Sequence, residues 1–69
     1  MISKFALTGE YIELIKLLKV MGLCSTGGMA KAAVEEGLVR VDGAVELRKR
    51  FKVRSGMRVL FEGQTIEVE

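Results

Sequence analysis

STGGMAKAAVEEGLVRVDG, residues 25–43, holds a helix start, a short helix, a glycine stop, a strand and a tight turn in nineteen residues. Ser25 or Thr26 can cap the helix by accepting a backbone N–H from its first turn. Ala30, Ala33 and Val34 then share one face, and Gly37 stands where a left-handed residue ends a helix. Leu38-Val39-Arg40-Val41 alternates, and Asp42-Gly43 is a strong short-range signal for a two-residue hairpin turn. The spacing predicts a helix over 26–36 with Asp42-Gly43 at a hairpin tip. The helix start carries a second message. Gly27 and Gly28 place no side chain before its unpaired amides, so an anion can approach the backbone there. The same two glycines equally fit a plain turn between helices.

On the N-terminal side, Tyr11, Leu14, Ile15 and Leu18 follow the spacing i, i+3, i+4, i+7. That predicts an amphipathic helix over 10–21, with Thr8 as its cap, Glu10 in its first turn and Gly22 as its stop. A strand anywhere in 12–19 would sink the two-helix reading. Ile12, Leu17 and Met21 widen the apolar face, while Glu13, Lys16 and Lys19 mark what is left for water. The short Leu23-Cys24 link implies a compact helix pair. Residues 1–7 fit a short strand or an ordered arm, since Ile2, Phe5 and Leu7 keep no single period.

On the C-terminal side a first hairpin covers about 38–47. RKRFKVR, 48–54, sets Phe51 and Val53 between cations as a half-buried extended segment would. Turns at Ser55-Gly56 and Glu62-Gly63-Gln64 bracket the alternating Val59 and Phe61, and Thr65 to Val68 closes the chain. The fold class is α+β: two packed helices followed by a small, mostly antiparallel sheet of four or five short strands. Residues 1–69 are expected to form a single domain, with no room for a second core.

With 49% hydrophobic and 29% charged residues, the chain can bury a core rather than stay disordered. It has no histidine, which removes Ser-His-Asp and Cys-His catalysis and every histidine-containing metal site. One cysteine, Cys24, allows no intrachain disulfide and no thiolate metal cage, and is read as a small buried hydrophobe. Cofactors, metals and catalytic residues are expected to be none. Without a signal peptide or an apolar run long enough for a membrane span, a cytoplasmic location with no membrane partner is expected.

Net charge is only +2, so its clustering matters more than its size. Six cations, Arg48, Lys49, Arg50, Lys52, Arg54 and Arg58, lie in eleven residues with no acid among them. Such a segment repels itself, which points to a phosphate-rich partner. A solvated hairpin edge guarded by charge against aggregation is the plainer reading. Lys31 lies one turn into the second helix, near its positive end, or pairs with Glu35 at i+4. Phe5, Tyr11, Phe51 and Phe61 fit the apolar periodicities and are read as core, and the four methionines are read as filler.

These motifs, in this order, resemble the RNA-binding domain named after ribosomal protein S-four, also called the alpha-L motif. Its marks here are the capped helix Thr26 to Ala33, the stop Glu35-Glu36-Gly37 and the hairpin Val39-Arg40-Val41-Asp42-Gly43. Within that family, YIELIKLLK at 11–19, GGMAK at 27–31, VELRKR at 45–50 and FEG at 61–63 are similar to the small stand-alone YbcJ-like proteins. The resemblance implies RNA binding by the helix pair and following hairpin, without catalysis. It maps the RNA-facing surface onto Thr26, Gly27, Gly28 and Lys31, and onto the basic residues Arg40, Arg48, Lys49, Arg50, Lys52 and Arg54. One departure stands out. Most members carry Ser-Arg at the second helix start, whereas this chain has Thr26-Gly27 and lacks that arginine.

The expected function is recognition of structured RNA, ribosomal or transfer RNA among the candidates, by shape and phosphate contacts. The rival is a protein-interaction module that docks the basic strip on an acidic partner. In that case RNA binding would be feeble and would vanish at physiological salt.

Overall fold

The computed structural model describes residues 1–69. In chain order its elements are β1 (Ile2–Phe5), β2 (Ile12–Glu13), α1 (Leu14–Val20), α2 (Gly27–Glu35), β3 (Val39–Val41), β4 (Ala44–Val45), β5 (Lys52–Val53), β6 (Arg58–Phe61) and β7 (Gln64–Val68). Two helices and a mostly antiparallel sheet are therefore present.

Helix α2 begins and ends as its residues dictate. Thr26 is the N-cap, and its Oγ1 accepts the Met29 amide at 3.1 Å. At the other end the Gly37 amide donates to the Val34 carbonyl and the Leu38 amide to the Ala33 carbonyl, both at 3.1 Å. Gly37 holds φ +76°, so this is a Schellman stop that a β-carbon would strain. Helix α1 closes in the same way at Gly22.

The start of α1 differs from expectation. Residues Ile12–Glu13 form a strand that pairs antiparallel with Lys52–Val53, so the helix begins four residues late. Thr8 does not cap it and Glu10 is not in its first turn; Glu13 is the N-cap and makes no side-chain cap bond. Its first amides are satisfied from elsewhere, with Leu14 donating to the Phe51 carbonyl at 2.9 Å and Ile15 to the Lys49 carbonyl at 3.2 Å. Pairing with a distant segment overrides the local helical spacing, since a β-branched Ile12 suits either state. A strand within 12–19 was expected to rule out the helix pair, and that condition was too strict. The strand at 12–13 only delays the start of α1, and the two helices still pack against each other.

The main sheet runs β1-β7-β6-β3-β4 and is antiparallel except for β1, which lies parallel to β7 at one edge. The β3–β4 hairpin turns at Asp42 (φ +50°) and Gly43 (φ +86°), a pair of left-handed residues that matches strand twist. The Asp42 carboxylate also accepts the Arg58 amide at 3.0 Å. Residues 48–54 are extended only at Lys52–Val53, because the chain first turns through Lys49 and Arg50.

Fourteen buried hydrophobic residues make one cluster, drawn from both helices, Cys24 in the link between them, the main sheet and Val53 of the separate β2–β5 ribbon. Leu14, Leu17 and Leu18 face Ala30, Ala33 and Val34, whose small side chains let the helices approach. Phe61 is in the core and Phe5 and Phe51 are half-buried, but Tyr11 is 41% exposed and is not a core residue. Met1 and Met29 are likewise on the surface rather than filling gaps. Tyr11 precedes the ribbon instead of lying on a helix, so its apolar spacing has no helical face to join.

Candidate nucleic-acid interface

The ribbon that displaces the start of α1 also builds the basic surface. The Phe51 and Lys49 carbonyls are tied to α1, and Val53 is fully buried, so the backbone between them is fixed. Strand alternation then turns Lys52 and Arg54 outward on the side opposite Val53. Arg48, Arg50, Lys52 and Arg54 line one open groove of about 480 Å3, with Phe51 and Met57 as its apolar part. Arg48 lies over the Phe51 ring at 4.9 Å, which braces both side chains.

The six cations of the strip are not equally free. Arg48 is held by Glu46, with Nε donating to Oε2 at 2.9 Å and Nη2 to Oε1 at 3.1 Å. Lys49 pairs with Glu35 at 2.6 Å, and Arg58 with Glu67 at 3.0 Å. The expectation of an unneutralised run is corrected to half its size: the fold brings in acids that the local window lacks. Arg50, Lys52 and Arg54 have no acid within ion-pair distance.

These pairs shift the carboxyls. The Lys49 hydrogen bond holds Glu35 below the usual carboxylate value, and the Arg48 hydrogen bond does the same for Glu46. A lowered folded pKa stabilises the fold fully above the ordinary value of 4.5 and loses that contribution as pH falls through the lowered one. Thermal stability should therefore decline on acidification below that value. The double variant Glu35→Gln with Glu46→Gln should decline less steeply in melting curves across the acid limb, and a decline as steep as wild type would show that neither pair contributes.

The other candidate residues lie elsewhere. Thr26 takes two of the first four amides of α2, Met29 through its hydroxyl and Ala30 through its carbonyl at 3.1 Å. Gly27 and Gly28 carry the other two. Glu35, the partner of Lys49, ends the same helix, so the glycine pair and the strip are separated by eight residues, about 12 Å along the axis. Lys31 is exposed between them, and Lys49 donates to the Glu35 carboxylate that was the alternative partner for Lys31. Arg40 is on the solvent face of the main sheet, where its Nη1 donates to the Gly43 carbonyl at 3.3 Å. The structure thus brings Arg48, Arg50, Lys52 and Arg54 together, leaves Lys49 beside them in an ion pair, and places Arg40 on the main sheet and Thr26-Gly27-Gly28 at the other end of α2, outside the groove lining.

One residue escaped the sequence reading. Tyr11 has the Lys52 Nζ 5.0 Å and the Arg54 Cζ 5.8 Å from its ring centroid. Only the register Glu13↔Lys52, made across a large sequence separation, reveals that neighbourhood. Cys24 is buried, and burial pushes its thiol pKa up, which suits packing rather than nucleophilic chemistry. No three His, Cys, Asp or Glu residues are grouped to hold a metal ion. No helix is long and apolar enough to cross a membrane.

Comparison with known proteins agrees with this architecture. YbcJ of Escherichia coli is 48% identical over 58 residues, covering 84% of this chain and 83% of the relative, and YbcJ of Shigella flexneri gives the same figures. A tyrosine–tRNA ligase of Ralstonia nicotianae is 36% identical over 63 residues, but the match spans only 16% of that enzyme. The solution structure of Escherichia coli YbcJ, described as revealing an alphaL motif involved in RNA binding, superposes with a TM-score of 0.74 at 45% identity, covering 96% of this chain and 85% of that one. The S4 domain model matches residues 5–69, from the end of β1 through both helices, the ribbon and the sheet, and the chain belongs to the S4 domain family.

Proposed function

We propose that this chain is a non-catalytic RNA-binding unit, acting as one domain, whose principal contact is the groove of Arg48, Arg50, Lys52 and Arg54. The observation that carries this reading is the convergence of four cations on one groove, three of them without an acidic partner. Unneutralised charge held on a fixed backbone is suited to phosphate oxygens, and it needs no base-edge recognition. Such contacts fit structured RNA, whose A-form helices present backbone more readily than base edges. The domain's membership of the S4 family and its similarity to YbcJ support the same reading. The same reading places the chain in the cytoplasm, a location that an RNA partner fits but does not require.

Binding of a fluorescent RNA hairpin, followed by anisotropy over a range of salt, tests it. Affinity should fall log-linearly with salt while remaining measurable at physiological ionic strength. Binding that disappears there, with no preference for structured over unstructured RNA, would instead favour an acidic protein partner for the strip.

The α2 start, with Lys31 beside it, is proposed as a second, smaller phosphate contact. Gly28→Glu tests it cleanly. A β-carbon at Gly28 meets only the Thr26 Oγ1 at 3.8 Å, and its backbone is not left-handed. A glutamate in the first turn also suits the helix dipole, so the fold should be kept or slightly stabilised. RNA affinity should fall about three- to tenfold from repulsion at one phosphate, roughly the 0.7–1.4 kcal/mol expected of a single charge effect at a helix end. Unchanged affinity in the folded variant would leave the glycines as a plain turn.

A further inference from the structure

The cationic groove is not alone on this side of the molecule. A second groove, of about 630 Å3, opens beside it and falls within the range of small-ligand sites, roughly 300–1,000 Å3. Phe5, Leu7, Ile12 and Val20 supply its apolar lining, and Lys16 and Glu13 its charges. Tyr11 belongs to both neighbourhoods: its ring lines this second groove while Lys52 and Arg54, which line the first, lie against it. The register explains why. Ile12 pairs with Val53 and points inward with it, so Tyr11 and Glu13 must share the outer face with Lys52 and Arg54.

An aromatic ring that is 41% exposed between an apolar hollow and two cations without acidic partners has the parts of a nucleotide site. Lys52 and Arg54 lie over the ring, so a base entering from the second groove stacks on the part of the ring that lines it, and the two cations can hold the adjoining phosphate. The carboxylate of Glu13 would repel a phosphate but accept an N–H, so the base edge rather than the backbone belongs on that side. In an intact duplex every base is stacked between neighbours and cannot reach a protein ring. A nucleotide in a bulge, a loop or a frayed end can.

We propose that Tyr11 is a stacking platform for one unpaired nucleotide of the bound RNA, with its base in the groove between Tyr11 and Val20 and its phosphate on Lys52 and Arg54. This rests on the RNA-binding reading and extends it, turning a surface that recognises backbone shape into one that selects an interruption in the helix. Phe51 does not offer the same contact, because it is half-buried beneath Arg48.

The chain reports on the proposal itself. Tyr11 is its single tyrosine and it has no tryptophan, so intrinsic fluorescence reads this ring alone. Two RNA hairpins of equal length are compared, one fully paired and closed by a tight loop, the other carrying a single-nucleotide bulge. The bulged hairpin should bind more tightly and quench the tyrosine emission at saturation. Tyr11→Leu should weaken the bulged hairpin about tenfold, the fold-change that one base stacked on an aromatic ring is worth, and erase its advantage over the paired one. Tyr11→Phe should keep the preference within about twofold, which separates stacking from a role of the hydroxyl. Equal binding of the two hairpins, with no change of emission when either saturates, overturns the platform and leaves the backbone reading intact. No binding of either hairpin overturns both.

Discussion

Changing Arg50, Lys52 and Arg54 together to glutamine is expected to weaken RNA binding roughly 50- to 150-fold at about 0.15 M salt. Counterion release alone sets that size. Each phosphate contact contributes a slope of about 0.7 to 0.9 in log K against log salt, which is roughly 0.6 to 0.7 log unit at that salt relative to 1 M, and three contacts are lost. The salt slope should flatten by about 2 to 3, the more diagnostic of the two changes. All three side chains are exposed, so the fold should lose no more than about 0.5 kcal/mol at each. The control is Arg48→Gln with Lys49→Gln. Those cations already sit on Glu46 and Glu35, and removing them should cost RNA binding less than about fivefold while leaving two carboxylates unpaired. Loss should be uniform across RNA sequences, because phosphate contacts carry no base information. Should the triple variant bind as tightly as wild type with the same slope, the groove is not the RNA surface, and an acidic protein partner becomes the better occupant.

That contrast between free and paired cations could not be drawn from the run of residues 48–58. Glu35, Glu46 and Glu67 all lie outside it, and which lysine or arginine each reaches depends on the tertiary fold. The limit recurs wherever a partner is remote. Ile12 and Glu13 match a helical spacing locally, but their strand partners Val53 and Lys52 lie about forty residues away. The parallel pairing of Ile2–Phe5 with Thr65–Val68 joins the two ends of the chain, and no local periodicity announces it. Residues 25–43 were legible because each signal there acts within a few residues. Thr26 caps through Met29, Gly37 ends the helix through Val34 and Ala33, and Asp42-Gly43 needs only its own backbone to turn. The cationic groove was half legible on the same grounds. Its charges are contiguous in sequence, while the groove itself depends on Val53 being buried and on the carbonyls of Lys49 and Phe51 being bound to α1.

Because that groove hangs on α1, a cut in the core should reach it. Leu18→Ala is expected to lower stability by about 2–5 kcal/mol, since the side chain is fully buried and its removal leaves a cavity between the helices. The backbone is not the cause: alanine favours helix, and the Leu18 carbonyl keeps its bonds from the Leu23 and Cys24 amides. Roughly 0.05–0.15 kcal/mol per residue gives a chain of this length a total of only about 3–10 kcal/mol, so the loss should be a large part of it. Urea titration should show a much lower midpoint with an unchanged slope. Val20→Ala, on the exposed side of the same helix, should change stability by no more than about 0.5 kcal/mol. If the two variants unfold alike, the packing of α1 against α2 does not hold the fold. RNA provides the link to function. A ligand that binds only the folded chain adds about 2.7 kcal/mol at a hundred times its Kd, enough to offset much of the cavity. The Leu18→Ala protein should therefore bind RNA weakly at low concentration and regain a folded, saturable groove as RNA is raised, whereas the Arg50, Lys52 and Arg54 variant should stay folded and stay weak.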